Sequence, residues 1–180
     1  MDIEIVQEGS AILRTKAREV APELIGGATL GQEIALMKNI LAQEYDGVAL
    51  AAPQIGISRR IFIVSPRVFG EEATEAMVCI NPSIVRKSKS TELLEEGCLS
   101  VRYKYGKVKR HTQVTIRYQD QNAVWHERGA SGLLAQIFQH EIDHLDGILF
   151  IDKAHEIEVL NAQERKEFEQ ARSRYQKENL

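Results

Sequence analysis

The strongest apolar periodicity in the sequence lies between residues 131 and 146. Two apolar side chains and two histidines recur there at i, i+4, i+7 and i+11, namely Leu133, Ile137, His140 and His144. Because an α-helix turns once every 3.6 residues, this spacing places all four on one face. We therefore predict a core-facing helix over residues 131–146, with Ser131 as its N-cap and Gly147 just beyond its end.

Elsewhere the pattern predicts one long helix and a series of short strands. Residues 29–45 carry an apolar helical stripe, and Thr29 with Gln32 matches a capping box. Short strand-like segments occupy residues 3–6, 60–65, 77–84, 92–100, 107–110, 113–120, 124–128 and 148–151. We predict an α+β fold in which short, mostly antiparallel strands surround the buried helix, rather than an alternating βαβ fold.

The end of the chain is charged and only sparsely apolar. From residue 155 onwards we predict a helix, so that residues 153–180 form a peripheral C-terminal helix. The sequence contains no internal repeat and no linker long enough to divide it. In this interpretation residues 1–180 form a single domain.

Composition excludes several classes of protein. Hydrophobic residues are 43% and charged residues 27% of the 180, as in ordinary globular proteins, and the formal net charge of −3 does not favour DNA or an anionic membrane as partner. No apolar run approaches the ~20 residues needed to span a bilayer, and the first residues do not resemble a signal peptide. Two cysteines in such a chain indicate reduced thiols and a cytoplasmic location.

The buried helix also contains His-Glu-x-x-His, as His140, Glu141 and His144. Imidazoles four residues apart can reach one divalent ion, and a carboxylate beside them can handle the protons of a bound water. The alternative is a solvated helix that carries two histidines. The core-facing stripe favours the metal, because an unpartnered polar ring is costly in the core.

A catalytic metal site usually has three protein ligands and one open position. Candidates for the third ligand are Asp146, His155, Glu156 and Glu158 downstream and Cys98 upstream. Cys98 stands out because it adjoins a glycine in an apolar segment, and a metal would deprotonate its thiol. We interpret Cys79 as a small buried hydrophobe in a strand and assign His126 to sheet packing or to the surface.

Small residues dominate residues 48–56, which also contain Gln54. The simpler interpretation is a tight loop between a helix and a strand. The alternative is a backbone segment that approaches a ligand closely, because small side chains permit such an approach.

Three segments resemble the signature motifs of the peptide deformylases. Residues 47–54 read Gly-Val-Ala-Leu-Ala-Ala-Pro-Gln and resemble the first motif, Gly-x-Gly-Leu-Ala-Ala-x-Gln. Residues 96–100 match the second motif, Glu-Gly-Cys-Leu-Ser, and residues 139–145 match the third, Gln-His-Glu-x-x-His-Leu. The motifs occur in the family's order, and the resemblance covers nearly the whole chain. It implies a compact α+β fold. It also implies an enzyme that removes the formyl group from the N-terminal formylmethionine of newly made polypeptides and releases formate.

The resemblance also implies a metal site and a set of catalytic groups. The metal ligands would be Cys98, His140 and His144. They would hold one divalent ion, typically Fe²⁺, with Zn²⁺, Ni²⁺ or Co²⁺ as alternatives. Glu141 would act as general base and acid, and the Gln54 side-chain amide and the Leu99 backbone N–H would donate to the formyl oxygen.

The substrate would lie between the same motifs. Leu133 and Ile137 would line an apolar pocket for the methionine side chain, and an extended peptide would pair with the segments that contain Val48 and Gly97. Gly47 and Ala49 complete the predicted substrate-binding set. The implied partners are nascent formylmethionyl peptides and, through the C-terminal helix, the ribosome, and the chain would be monomeric.

The sequence departs from the family pattern at several positions. Ala49 replaces a glycine, so that either the backbone is ordinary there or a methyl group narrows the groove. Residues 9–11 read Gly-Ser-Ala where the family often has Gly-Asp-Pro. Tyr105 stands where some members carry an arginine that holds the substrate backbone, and Arg102 is a candidate to replace it. These differences concern substrate preference and efficiency more than reaction type.

Two other functions remain open at this point. A zinc peptidase of the usual His-Glu-x-x-His kind would explain the helix but would leave Cys98 and Gln54 without a role. A non-catalytic relative that binds peptides or ribosomes is suggested by Ala49, by the missing arginine and by the long C-terminal helix.

Overall fold

The computed structural model describes residues 4–179, and within them the chain has three α-helices and eight β-strands. The helices are α1 (Ala28–Gln43), α2 (Gly132–Leu145) and α3 (Ala162–Asn179). The strands are β1 (Ala49–Ala51), β2 (Ile61–Val64), β3 (Met77–Lys87), β4 (Thr91–Cys98), β5 (Val101–His111), β6 (Gln113–Gln119), β7 (Trp125–Ser131) and β8 (His155–Val159). The predicted α+β class is confirmed. None of the three helices is both long and apolar enough to cross a membrane.

The strands form two sheets in which every pairing is antiparallel. The larger sheet has the order β1-β2-β3-β6-β7, and the smaller sheet has the order β4-β5-β8. Strands β1 and β4 each lie at one end of a sheet, so each has an edge without a strand partner.

Side-chain alternation decides what each residue of the larger sheet packs against. In β2, Phe62 and Val64 belong to the cluster that contains α2, whereas Ile61 and Ile63 belong to the cluster that contains α1. Successive side chains of a strand point to opposite faces, so a strand covered on both faces is apolar throughout. Helix α2 is thereby enclosed against one face of the sheet, as the apolar stripe predicted.

The prediction of a continuous helix from residue 155 is wrong. His155–Val159 forms β8, which pairs with β5 through Lys104↔Val159 and Tyr105↔Glu158. Helix α3 begins only at Ala162. The edge of β5 supplies backbone hydrogen-bond partners that residues 155–159 use in place of helical ones.

The strand predicted at residues 148–151 is also wrong. The Asp152 carboxylate accepts the Leu149 N–H at 2.8 Å, which curls the chain into the 3₁₀ turn Phe150–Asp152. Of the strand predicted at residues 3–6, the described part has no strand structure.

The predicted helix caps are only partly confirmed. Helix α1 begins at Ala28 after Gly27, so Thr29 lies inside the helix and the predicted capping box is wrong. Ser131 is at the N-cap position of α2, but its side chain makes no capping hydrogen bond. Gly147 follows α2 with a φ of 77°, as predicted for a residue just beyond a helix end.

Candidate metal centre

Helix α2 brings the two histidines together on its buried side. The ring centroids of His140 and His144 lie 4.9 Å apart in an edge-to-face arrangement. His144 is 1% exposed and Glu141 is 4% exposed. The alternative of a solvated helix with two histidines is therefore wrong.

Cys98 reaches the histidines from the end of β4, where the pairing with β5 is irregular. Its Sγ lies 3.1 Å from His144 Nε2. One ligand atom from each of Cys98, His140 and His144 lies within 4.8 Å of the other two. In the described part of the chain this is the one group of three or more such residues that fits a metal ion.

The downstream candidates for the third ligand lie elsewhere. Asp146 forms an ion pair with Arg60 at 2.7 Å. The other three candidates belong to the exposed strand β8. Cys98 is thus the third member of the group.

One buried atom at the site indicates a binding function. Glu141 Oε2 has no hydrogen-bond partner among the described residues. His144 Nδ1 is also unpaired there, but the ring faces Cys98 Sγ with its other nitrogen, Nε2. Unpaired polar atoms are costly in a protein interior and call for an ion, a water or a functional role. One sulfur and two ring nitrogens form a donor set suited to a divalent transition metal. The residues therefore fit a divalent ion.

Burial also changes the acid–base character of Glu141. Loss of solvent raises the pKa of its carboxyl group to about 7, although the nearby His140 opposes the rise. A cation bound beside it would favour the carboxylate form.

The first motif supplies Gln54 from the 3₁₀ turn Ala52–Ile55. Its Oε1 accepts the Ala51 N–H at 2.7 Å, and its Nε2 donates to Ser100 Oγ at 3.2 Å. Nε2 also lies 3.6 Å from Cys98 Sγ. The segment is therefore more than a tight loop, because it fixes an amide N–H group beside the metal-binding residues.

A cavity of about 260 Å³ adjoins the site. It is lined by every predicted site residue except the deeply buried His144, namely Gly47, Val48, Ala49, Gln54, Gly97, Cys98, Leu99, Leu133, Ile137, His140 and Glu141. Leu133 is 55% exposed at the surface end of α2. The prediction that it belongs to the buried stripe is therefore wrong. A Cβ on Gly97 would lie 2.8 Å from the Tyr105 ring, so the close approach of that ring requires glycine.

Ala49 has ordinary extended backbone. It belongs to β1, pairs with Val64, and is not among the residues with positive φ. Of the two alternatives for the replacement of glycine by Ala49, the ordinary backbone is confirmed.

Comparison with known proteins identifies the family. The model of the family described as polypeptide deformylase matches residues 3–159. A peptide deformylase from Pseudothermotoga lettingae is 41% identical over 149 residues, which cover 80% of this chain and 78% of that protein. The chain belongs to the peptide deformylase family. It is therefore a hydrolase that removes N-formyl groups, and the two alternative functions lose their support.

Solved deformylase structures share its architecture. The crystal structure of the enzyme from Thermotoga maritima matches with a TM-score of 0.76 at 34% identity, covering 85% of this chain and 97% of that one. A Met-Ala-Ser-bound class I type b deformylase from Acinetobacter baumannii gives a TM-score of 0.76 at 34% identity, covering 85% and 98%.

The deformylase site includes a buried ion network behind His140 that was not predicted from the sequence. The Glu96 carboxylate lies 2.9 Å from His140 Nδ1 and 2.7 Å from Arg110 Nε. Arg110 also donates to Asp143 at 2.6 Å. Burial alone would raise the pKa of Glu96, but hydrogen bonds from Arg110 and His140 outweigh it and lower the pKa to about 2. Alternation along β5 was the available signal, because Arg110 shares the buried face with Val108.

Two residues of the outer cavity wall, Tyr103 and Phe168, were not predicted either. The same wall contains Arg102 and Tyr105, two positions at which the sequence departs from the family pattern. Arg102 Nη2 donates to Glu44 at 2.8 Å and Arg102 Nη1 to Asp46 at 3.1 Å. Arg102 is therefore engaged with the protein, which weakens it as a replacement for the missing substrate-binding arginine.

The remaining candidates lie away from the cavity. Cys79 is fully buried, and neither it nor Cys98 forms a disulfide. His126 lies on β7, is exposed, and contacts the Asp120 carboxylate at 2.8 Å. Both assignments from the sequence are confirmed.

Proposed function

We propose that this chain removes the formyl group from the N-terminal formylmethionine of newly made polypeptides at a metal held by Cys98, His140 and His144. The observation that carries the proposal is the convergence of those three side chains within 4.8 Å beside a cavity that Glu141 and Gln54 also line. The other residues of the site then take the following roles.

The ligands hold one divalent ion, for which we propose Fe²⁺, with Zn²⁺, Ni²⁺ and Co²⁺ as substitutes. The mixed sulfur and nitrogen donor set and the family resemblance support this choice. When bound, the ion supplies Lewis acidity and an attacking water of lowered pKa. Glu96 holds the His140 ring through Nδ1, which leaves Nε2 for the ion. A thiolate beside iron makes the protein sensitive to air.

Glu141 moves the proton. It lines the cavity, and its Oε2 has no hydrogen-bond partner among the described residues. We assign it to take a proton from the attacking water and to deliver that proton to the leaving amine nitrogen.

Two donors stabilise the negative charge that develops on the formyl oxygen. We assign this role to the Gln54 side-chain amide and to the Leu99 backbone N–H. Support comes from the orientation of Gln54, whose Nε2 is held by Ser100 and lies 3.6 Å from Cys98 Sγ. Removal of one such donor typically costs ~10²–10³ in rate.

The peptide lies in the cavity with its methionine side chain between Leu133 and Ile137. Its backbone extends along the free edges of β1 and β4, so that Val48 and Gly97 lie beside it and Gly47 and Ala49 complete the wall. The Met-Ala-Ser peptide bound by the Acinetobacter baumannii enzyme supports a ligand that begins with methionine.

We further propose that residues 1–180 act as one monomeric deformylase domain in the cytoplasm and that α3 meets the ribosome. The inner side of α3 is engaged with the protein, for example through Arg172 and Glu44. Exposed basic residues remain on its outer side for such a contact, namely Lys166, Arg174 and Lys177.

An anaerobic formate assay on formyl-Met-Ala-Ser, with protein loaded with Fe²⁺ or Ni²⁺, tests the proposal. We expect formate release with the Met–Ala bond intact. Cleavage of the Met–Ala bond would instead indicate a peptidase, and absence of both products would indicate a non-catalytic binder. A His144→Ala control should lose both formate release and bound metal, as measured by elemental analysis.

A further inference from the structure

Helix α3 contributes to the cavity although it lies beyond the residues that the family model matches. Phe168 is the α3 residue on the cavity wall in the described part of the chain. It is only 9% exposed. One side of the cavity is therefore built by a segment that carries none of the three motifs.

Aromatic and cationic groups hold the Phe168 ring. Its centroid lies 5.3 Å from that of Tyr45 and 5.7 Å from that of Tyr103, both in edge-to-face arrangements. The Arg102 guanidinium lies 5.5 Å from the ring centroid. Such arrangements are favourable for aromatic quadrupoles. Phe168 is thus a fixed part of the wall.

Strand β5 is tied at Tyr103 both to Leu160, which precedes α3, and to α3 itself. Tyr103 has a φ of 65°, which non-glycine residues rarely adopt. Its carbonyl oxygen accepts the Leu160 N–H at 2.8 Å, and its hydroxyl donates to Glu169 at 2.8 Å. Leu160 and α3 together therefore hold a cavity-lining residue of β5 in an unusual conformation.

A buried carboxylate anchors α3 from the other side. Glu44 is 3% exposed and accepts from Arg172 at 2.8 and 3.0 Å and from Arg102 at 2.8 Å. These bonds join α3 to α1 and to the start of β5. With Glu44 in place, Phe168 cannot move away from the cavity without breaking charge-assisted hydrogen bonds.

We propose that Phe168, with Tyr103 and Tyr105, forms a subsite for an apolar or aromatic side chain that follows formylmethionine in the substrate. The inference rests on the proposed function, which places formylmethionine at the metal and between Leu133 and Ile137. The Tyr105 ring lies against Gly97, where we place the peptide backbone, so the next side chains meet the aromatic wall. Phe168 is then a specificity-determining residue, and α3 sets which peptides are processed fastest.

The test compares kcat and KM on formyl-Met-Phe-Ser and formyl-Met-Ala-Phe with the same peptides carrying serine in place of phenylalanine. Formyl-Met amide, which has no downstream side chain, is the reference. An aromatic contact is worth about twofold to tenfold, so the wild-type protein should favour at least one phenylalanine peptide by that factor. Phe168→Ala should abolish the preference through KM, while kcat/KM on formyl-Met amide stays within about twofold.

Phe69→Ala is the matched control. Phe69 lies beneath Arg128 at 5.1 Å, as Phe168 lies beneath Arg102, but it does not line the cavity. This variant should keep the preference for phenylalanine. If Phe168→Ala does not fold, Phe168→Leu retains the apolar bulk and should still weaken the preference.

Three results would overturn the inference. The wild-type protein could show no preference, both phenylalanine variants could change it equally, or Phe168→Ala could slow every substrate by one factor. In each case formyl-Met amide is still hydrolysed and the proposed function stands. If the wild-type protein releases no formate from any substrate, the proposed function fails and the inference falls with it.

Discussion

Two ion networks hold two sides of the cavity, and they differ in burial. Beside the histidines, the side chains of Glu96 and Arg110 are each only 3% exposed. At the outer wall, the Glu44 side chain is 4% exposed, but the side chains of its partners Arg102 and Arg172 are 11% and 31% exposed. The Glu96–Arg110 pair beside the metal site is sealed from water, whereas the Arg172 end of the outer network is partly solvated.

This difference separates what each network can do. Removal of one partner from a sealed pair leaves an uncompensated charge in the interior. Substitutions in the network around His140 should therefore be strongly destabilising. Water reaches Arg172 in the outer network, so a substitution at that position costs little stability. The rigid side of the cavity thus positions the catalytic groups. The side that α3 supplies determines which peptides are preferred.

The largest effect is expected on the rigid side of the cavity, from substitution of the proton-transfer residue Glu141. Glu141→Ala should lower the rate of formate release by about 10²–10⁴, because no other carboxylate is assigned to move the proton. The metal content should stay at one ion per chain, since the three ligands are unchanged. Steady-state kinetics with elemental analysis measures both, and near wild-type activity would refute the role of Glu141.

Next comes the sealed network itself. Arg110→Ala should lower the free energy of unfolding by about 3–5 kcal/mol, because Glu96 would remain buried without its main partner. For a chain of this size that corresponds to a fall in Tm of roughly 10 °C. Lys109→Ala, at the exposed neighbouring position of β5, is the control and should shift Tm little. Equal shifts would show that the pair is not sealed.

The two sides also differ in how well the sequence predicts them. The histidines and Cys98 lie in short motifs, and the periodicity of α2 places His140 and His144 on one face whatever the rest of the chain does. Glu96 and Arg110 were missed although strand alternation puts Arg110 on an inward face. Their pairing depends on the register of β4 with β5, and that register is not encoded locally.

The contribution of Phe168 to the outer wall could not be predicted, for a physical reason. Phe168 meets Tyr45 and Tyr103, which are far away along the chain, and α3 itself has too few apolar residues to indicate an inner face. Strand β8 was predicted as helix on the same grounds, because its hydrogen-bond partner β5 is distant in sequence. Local pattern rules do not contain these tertiary contacts.

A substitution that changes only the charge of the sealed network should weaken metal binding. Glu96→Gln keeps an oxygen that can accept from His140 Nδ1 but removes the negative charge that orients the ring and faces Arg110. Partners of metal ligands typically contribute 10–100-fold to metal affinity, so we expect weaker binding by about that factor. Competition with a chelator measures it. Glu92→Gln, on the same strand but exposed and off the cavity wall, is the control, and equal affinities would remove Glu96 from this role.

The smallest expected effect lies in the outer network and completes the comparison. Arg172→Ala should lower the free energy of unfolding by less than about 1 kcal/mol, because Glu44 keeps Arg102 and water reaches the vacated position. Denaturant titration at low and high salt measures this. High salt should shrink the Arg172 effect, since exposed charges are screened, but should leave the Arg110 effect nearly unchanged. If Arg172→Ala costs as much as Arg110→Ala at both salt concentrations, the outer network is as sealed as the inner one, and the division between a rigid and an adjustable side of the cavity is wrong.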